Sequence, residues 1–158
     1  MIIEYTRQHS GVTAPTRSNP SDAGLDVYAY LKVDGDAGFS KEITILPGCN
    51  VMVPTGLRFG IPHGYMLQVC NRSSMGAKKS LIVGAHIIDS GYNGEVFIDL
   101  HNVGSDARTI QDGDKIAQVI MIPVVPFRAK ENEAGTLYNT DPITISARGA
   151  GALGSTGR

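Results

Sequence analysis

The chain has 158 residues, 18% of them charged, and a formal net charge of −1. That length suits one domain able to bury roughly two thirds of its unfolded surface. The even charge balance argues against a duplex-coating protein or a polybasic membrane binder, and no apolar run approaches the ~20 residues of a membrane-spanning helix.

Residues 2–5 read as an opening strand and residues 10–20, rich in Pro, Thr and Ser, as a loop. Strands are expected over 24–30, 42–46, 51–54, 56–61 and 65–71, with Pro62-His63-Gly64 turning between the last two. Short strands punctuated by 19 glycines and eight prolines predict an all-β sandwich or barrel. Residues 74–80 lack β-branched side chains and are the best place for a single short helix, although Gly76 weakens it.

Residues 81–83 lead into the stretch the chain is organised around, 85–102. Asn93-Gly94 between two apolar runs signals a β-hairpin, with Val96, Ile98 and Leu100 on one face and Phe97, Asp99 and His101 on the other. Asp89 and Tyr92 then stand at the mouth of a tight turn, where the carboxylate either caps the turn or meets a ligand. Asp112-Gly113-Asp114 reads as a turn, 116–122 as an apolar strand buried on both sides, and 124–127 as a segment closing the sheet. Residues 128–140 are polar and irregular, and 146–158 form a Gly/Ser/Thr-rich tail. No internal repeat or second domain is evident.

The start, Met1-Ile2-Ile3-Glu4, lacks the profile of a signal peptide. Cys49 and Cys70 are too few and too far apart for a metal knuckle or a disulfide scaffold, and are expected to pack as small apolar residues in a reducing cytoplasm. The four histidines show no metal-binding pair. Basic residues are not interleaved with aromatics, so neither a nucleic-acid nor a membrane partner is expected.

Several short blocks carry chemistry. Arg148 followed by Gly149, Gly151, Gly154 and Gly157 could cradle an anion, since glycines let backbone N–H groups approach closely; a Gly/Ser tail is equally a mobile end. No Gly-Lys-Ser/Thr closes it, so it is not a Walker A loop. Arg72-Ser73-Ser74 offers a guanidinium and two hydroxyls suited to a polyphosphate. Asp22 and Asp26 flank a strand start, either as a solvated turn or as an outer-sphere Mg²⁺ anchor. Gln118 lies within an apolar strand and needs a partner, from the protein or from a ligand.

Together these blocks resemble the five motifs of the trimeric dUTP pyrophosphatase (dUTPase) family, in matching order: DAGLDVYA from Asp22, RSSMGAKKSL from Arg72, VGAHIIDSGYNGEV from Val83, GDKIAQVIM from Gly113 and RGAGALGSTG from Arg148. The resemblance implies a jelly-roll-like β-sandwich, the dUTPase-like β-clip, with one short helix. It implies a β domain over 1–145 and a C-terminal arm over 146–158 that closes an active site, that of a neighbouring subunit in a homotrimer. The implied activity is hydrolysis of dUTP to dUMP and pyrophosphate in the cytoplasm, of a host cell if the source is viral, keeping uracil out of DNA and supplying dUMP for dTTP synthesis.

In that family pattern Asp89 is the general base. Tyr92 packs on the deoxyribose, and backbone from Val83 and Gly84 to Ile87 and Ile88 reads the uracil edge. Arg72, Ser73, Ser74 and Gln118 line the phosphates, while Asp26 holds a water on Mg²⁺. Arg148, Gly154, Ser155 and Thr156 close over the γ-phosphate and Leu153 covers the base. Three residues depart from common family members: Val83 for asparagine, Leu153 for phenylalanine and Asn93 for arginine. The alternative reading, dCTP deaminase of the same fold, is implied by the 85–92 run, with Asp99 where that family keeps a catalytic glutamate.

Overall fold

The computed structural model describes residues 2–31 and 41–138. The chain divides into two compact units, Met1–Pro126 and Phe127–Arg158. Among the described residues of the first, eleven strands and one helix run in the order β1 (Glu4–Arg7), β2 (Leu25–Tyr28), β3 (Glu42–Ile45), β4 (Asn50–Pro54), β5 (Leu57–Gly60), β6 (Tyr65–Cys70), α1 (Ser73–Lys79), β7 (Leu81–Val83), β8 (Ile87–Asp89), β9 (Phe97–Asn102), β10 (Arg108–Gln111) and β11 (Lys115–Pro123). The expected all-β class with one short helix is what forms.

Two sheets carry the fold: four strands in the order β2-β11-β6-β8 and three in the order β4-β9-β7. Ribbons β1-β5 and β3-β10 complete it, and every pairing is antiparallel. Alternation places Val27, Leu67, Val69 and Val119 of the first sheet in one buried cluster with Val53, Leu81, Val83, Ile98 and Leu100 of the second. Helix α1 drops Met75 into the same core and ends at Ser80, whose φ of 54° is a left-handed cap.

Four expectations need correction. Residues 85–102 are not a hairpin: β8 pairs with β6 and β9 pairs with β4 and β7, so the two runs belong to different sheets. The turn is Asp89 to Tyr92, closed by a 3.2 Å bond from Tyr92 N to Asp89 O, with positive φ (87°) at Gly91 rather than at Asn93 or Gly94. Glycine at that third position marks a type II turn, which splays strands instead of matching their twist. Secondly, residues 124–127 add no strand: after Val124 N bonds Gly64 O the chain leaves the sheet, with Val125 82% and Phe127 88% exposed.

Thirdly, β11 is buried on both faces only at Ile116 and Ala117, beside a bulge; beyond them only Val119 is fully buried and residues 120–122 are half-buried. Fourthly, Cys49 is exposed in the turn before β4, and only Cys70 is partly covered; burial raises its thiol pKa. Strand β10 was not expected, because Ile110 is its single apolar residue.

Asn102 ties these elements at the base of the core. It is 1% exposed, its Nδ2 donates to Ile45 O (2.9 Å) and Asp106 O (2.8 Å), and its Oδ1 accepts from Gly104 N (3.0 Å). Replacing it with leucine strands the buried Ile45 carbonyl and leaves the part-buried Asp106 carbonyl and Gly104 N–H without this partner. Asn102→Leu is expected to lower unfolding free energy by about 2–5 kcal/mol, an unpaired buried group costing ~1–3 kcal/mol. Urea titration reads it, and a loss below about 1 kcal/mol would count against this account.

Candidate active site

Two clusters of the residues singled out above lie on the outer face of the four-stranded sheet. The first is built by β11. In its pairing with β2, Lys115 faces Tyr28 and Ala117 faces Val27, so Ile116 is an extra residue in a β-bulge. Lys115 and Gln118, three apart, would point to opposite faces of a regular strand; the bulge turns both to the side of Asp26.

Asp26 is 15% exposed and takes one cation on each oxygen: Arg72 Nε on Oδ1 and Lys115 Nζ on Oδ2, both at 2.8 Å. That hydrogen bond is the main reason the Lys115 ammonium pKa lies above its ordinary value. Arg72 Nη1 further reaches Lys115 O (3.4 Å) and Ser74 Oγ (3.5 Å), and Ser73 is exposed beside them at the start of α1.

Gln118 sits opposite both Asp26 and Cys70, and its Nε2 donates to Asn71 O at 2.9 Å, so the protein supplies its partner. Gly24 makes room for it: a Cβ there would stand 2.9 Å from Gln118 Oε1 and 3.1 Å from Val119 O. Asp22 accepts from Asn19 N (2.8 Å) and caps a turn away from this cluster.

The second cluster fills the gap left where β8 and β9 part. An open pocket of about 210 Å³ is lined by Met52, Ile87, Ile88, Asp89, Tyr92 and Phe97 among others. Asp89 is exposed there, and its carboxylate has no hydrogen-bond or ionic partner among the described residues. The Tyr92 ring folds back over Gly94, where a Cβ would stand 2.4 Å from its hydroxyl, and that hydroxyl donates to Glu95 O at 2.8 Å. At Gly94 it is the tyrosine ring, not the backbone conformation, that crowds the position: a larger residue there would have to displace the ring from where it lies.

As the edge strand of its sheet, β8 leaves one row of backbone N–H and C=O groups unpaired by any described strand. Ile87 points outward, whereas Ile88 packs against the core and Val83 is buried. Two of the nearby backbone groups are already used: Val83 N donates to Asn71 Oδ1 (2.6 Å) and Gly84 N to Asp99 O (2.9 Å).

Sequence reasoning missed Lys115, Asn71 and Arg58. Asn71 ties β11 to β7, holding Gln118 through its carbonyl and Val83 through its side chain. Arg58 of β5 donates to the Asn93 side chain, bringing a cation to the place where Asn93 stands for arginine. Arg148, Leu153, Gly154, Ser155 and Thr156 lie outside the described residues. Among the described residues no group of three or more His, Cys, Asp or Glu could hold a metal. Asp26 keeps about two of its four acceptor positions, enough to contact a water on a metal that arrives with its ligand.

Asp99 belongs to the other sheet, on the outer face of β9, bonded to Asn50 Nδ2 (2.9 Å) and His101 Nε2 (2.9 Å). The Asn50 bond foremost, then His101, lowers its pKa against the opposing effect of burial. A carboxyl depressed by folding contributes stability above its unfolded pKa of ~3.9 and loses it as pH falls through the lower folded value. Asn50→Ala is expected to raise the Asp99 pKa toward the ordinary value and to flatten the acid loss of stability below about pH 4. NMR titration of the Asp99 carboxyl carbon measures this; an unchanged midpoint would rule out Asn50 as the cause.

A family model described as dUTPase matches residues 10–157. A deoxyuridine 5'-triphosphate nucleotidohydrolase of Desulfitobacterium hafniense is 35% identical over 158 residues, covering 98% of this chain and 94% of the relative. Another, from Chlamydia muridarum, is 32% identical over 155 residues and covers 97% of each. Among solved structures, the Staphylococcus bacteriophage 80alpha dUTPase with dUpNHpp aligns with a TM-score of 0.80 at 20% identity, over 99% of both chains. A mutant dUTPase from phage phi11 of S. aureus, described with a structural Mg(II) ion, aligns with a TM-score of 0.72 at 20% identity, over 84% of this chain and 97% of the other. Those structures share the fold, and both relatives are nucleotidohydrolases rather than deaminases. From a family match over nearly the whole chain and relatives above 30% identity, the chain belongs to the dUTPase family.

Proposed function

We propose that the chain is a dUTP diphosphatase, hydrolysing dUTP to dUMP and pyrophosphate with Asp89 as general base. The observation that carries this reading is the Asp89 carboxylate, exposed and unpartnered among the described residues at the rim of the pocket beside Tyr92. A free carboxylate can take a proton from water as the water oxygen bonds to the α-phosphorus. The bond from that phosphorus to the bridging oxygen then breaks, and pyrophosphate leaves with the electron pair.

The Asp26–Arg72–Lys115 cluster suits the other end of the substrate. Two cations against one carboxylate leave an excess of positive charge, and charge neutralisation with positioning is most of what a protein adds to phosphoryl transfer. Arg72, Ser73, Ser74 and Gln118 bind phosphates in this reading, and Asp26 contacts a water on Mg²⁺. The ion, when bound, comes chelated by the triphosphate and neutralises charge on it. The Tyr92 ring, fixed by its bond to Glu95 O, excludes a 2′-hydroxyl. The open edge of β8 with Val83 and Gly84 at its approach reads the uracil edge through backbone groups.

We infer a homotrimer with sites shared between copies. Asp89 stands level with Met66 and Gln118 level with Cys70, so the two clusters are about 13 Å apart along β6. A base must stand within about 3 Å of the water it activates, which favours a site completed by a second copy. Exposed Met52, Ile82 and Phe97 on the second sheet offer apolar surface to bury in such contacts. The arm, 146–158, closes over a neighbour's site in this proposal, with Arg148, Gly154, Ser155 and Thr156 at the γ-phosphate and Leu153 on the base. The free cysteines suit the reducing cytoplasm.

Product analysis with dUTP, dCTP, dTTP and UTP, each with Mg²⁺ or chelator, tests the activity. Pyrophosphate and dUMP are expected from dUTP alone, and only with Mg²⁺; ammonia from dCTP would replace this reading with deamination. Asp89→Asn is expected to lower kcat about 10²–10⁴-fold with KM within a few-fold of wild type. A variant that keeps most of its turnover would remove Asp89 from the role.

A further inference from the structure

We propose that Lys115 is a positioning residue of the phosphate-binding cluster: by occupying one oxygen of Asp26 it keeps the outer edge of the Arg72 guanidinium open for phosphate. The proposal rests on the functional reading above and goes beyond it, since Lys115 lies within GDKIAQVIM but has no role of its own in that reading.

The geometry is particular. An arginine beside a lone carboxylate ordinarily takes it through two nitrogens, Nε and Nη2, in a bidentate fork. Here Asp26 meets Arg72 through Nε alone, because Oδ2 is held by Lys115 Nζ at 2.8 Å. Nη2 of Arg72 has no acceptor among the described residues, while Nη1 is steered by Lys115 O and Ser74 Oγ. Lys115 thus holds the pair from both ends, its ammonium on Asp26 and its carbonyl on Arg72.

Lys115 is itself fixed. Its ammonium lies 5.7 Å from the centroid of the Tyr28 ring and 3.4 Å from Ser18 Oγ, and the Tyr28 hydroxyl is anchored to Thr16 Oγ1 at 2.6 Å. The bulge at Ile116 is what brings Lys115 to this face at all. Without Lys115 the Asp26 carboxylate is free to rotate onto both Nε and Nη2, which closes the anion-binding edge and cancels the excess charge.

Lys115→Met keeps the apolar stem and removes the charge; Lys115→Arg restores a cation. The readouts are Kd for dUMP and for the non-hydrolysable triphosphate dUpNHpp, with Mg²⁺, together with KM, kcat and Tm. For Lys115→Met the triphosphate Kd and KM are expected to rise about tenfold, the scale of one lost charge-assisted contact. Its dUMP Kd and kcat should stay within about threefold and its Tm within about 3 °C, since Asp26 keeps its bond to Arg72 when Lys115 is replaced. Lys115→Arg should recover most of the triphosphate affinity.

In an Asp26→Asn background, Lys115→Met should have no further effect on triphosphate binding, because its action passes through Asp26. Additive losses would mean that Lys115 touches phosphate directly and would overturn the positioning role. Equal losses of dUMP and triphosphate affinity, failed rescue by arginine, or unchanged triphosphate affinity in Lys115→Met would overturn it too. A wild-type protein that neither binds the triphosphate nor cleaves dUTP would instead defeat the functional reading itself.

Discussion

The pairing of β11 with β2 on one side and β6 on the other is the constraint on which the rest of the structure depends. One face of this strand gives Val119 to the core, and the other carries Gln118 into line with Asp26 and Cys70. Because side chains alternate, a slip of one residue would turn Gln118 toward the core and Val119 away from it. Core packing and the geometry of the cationic cluster are therefore set by the same register. Gly24, pressed against Gln118 and Val119 O, makes that approach possible from the β2 side.

The second cluster obeys the opposite logic. Where β11 gathers residues by pairing, Asp89 and Tyr92 gain their pocket because β8 and β9 decline to pair. The type II-like turn at Gly91 sends the chain from one sheet to the other, and the gap between them is where the ring of Tyr92 lies. Asn71 ties the β11 cluster to the second sheet, bonded at once to Gln118 and to the backbone of Val83 in β7.

Much of this was legible in the sequence. Strands β2, β6, β7, β9 and β11 alternate or are apolar, with Pro or Gly punctuation between several of them, and the helix lies where β-branched residues run out. Among the described residues, Asp26, Arg72, Ser74 and Gln118 lie in one cluster and Asp89 and Tyr92 in another, while the fifth motif lies outside the described residues. Other features could not be read, for identifiable reasons. Strand β10 has one apolar side chain and so shows no period. Gly94 looked like a turn glycine but answers a tyrosine ring several atoms away. Lys115 sits at an odd spacing from Gln118, and only the bulge, a property of the paired strands, puts both on one face. Arg58 comes from a distant ribbon to the tip of the turn, a contact that no local pattern announces.

The exposed edge of β8 has a consequence outside catalysis. A short strand of Ile87, Ile88 and Asp89, with a row of backbone groups that no described strand pairs, is also a template to which a stray strand from another chain can add. Asp89 is the one charge on it, and a charge on such an edge discourages sheet-to-sheet growth. The same carboxylate that would draw a proton from water therefore also guards solubility at the mouth of the pocket. Substitutions that neutralise it remove both services at once, which couples the chemistry of this site to the protein's resistance to aggregation.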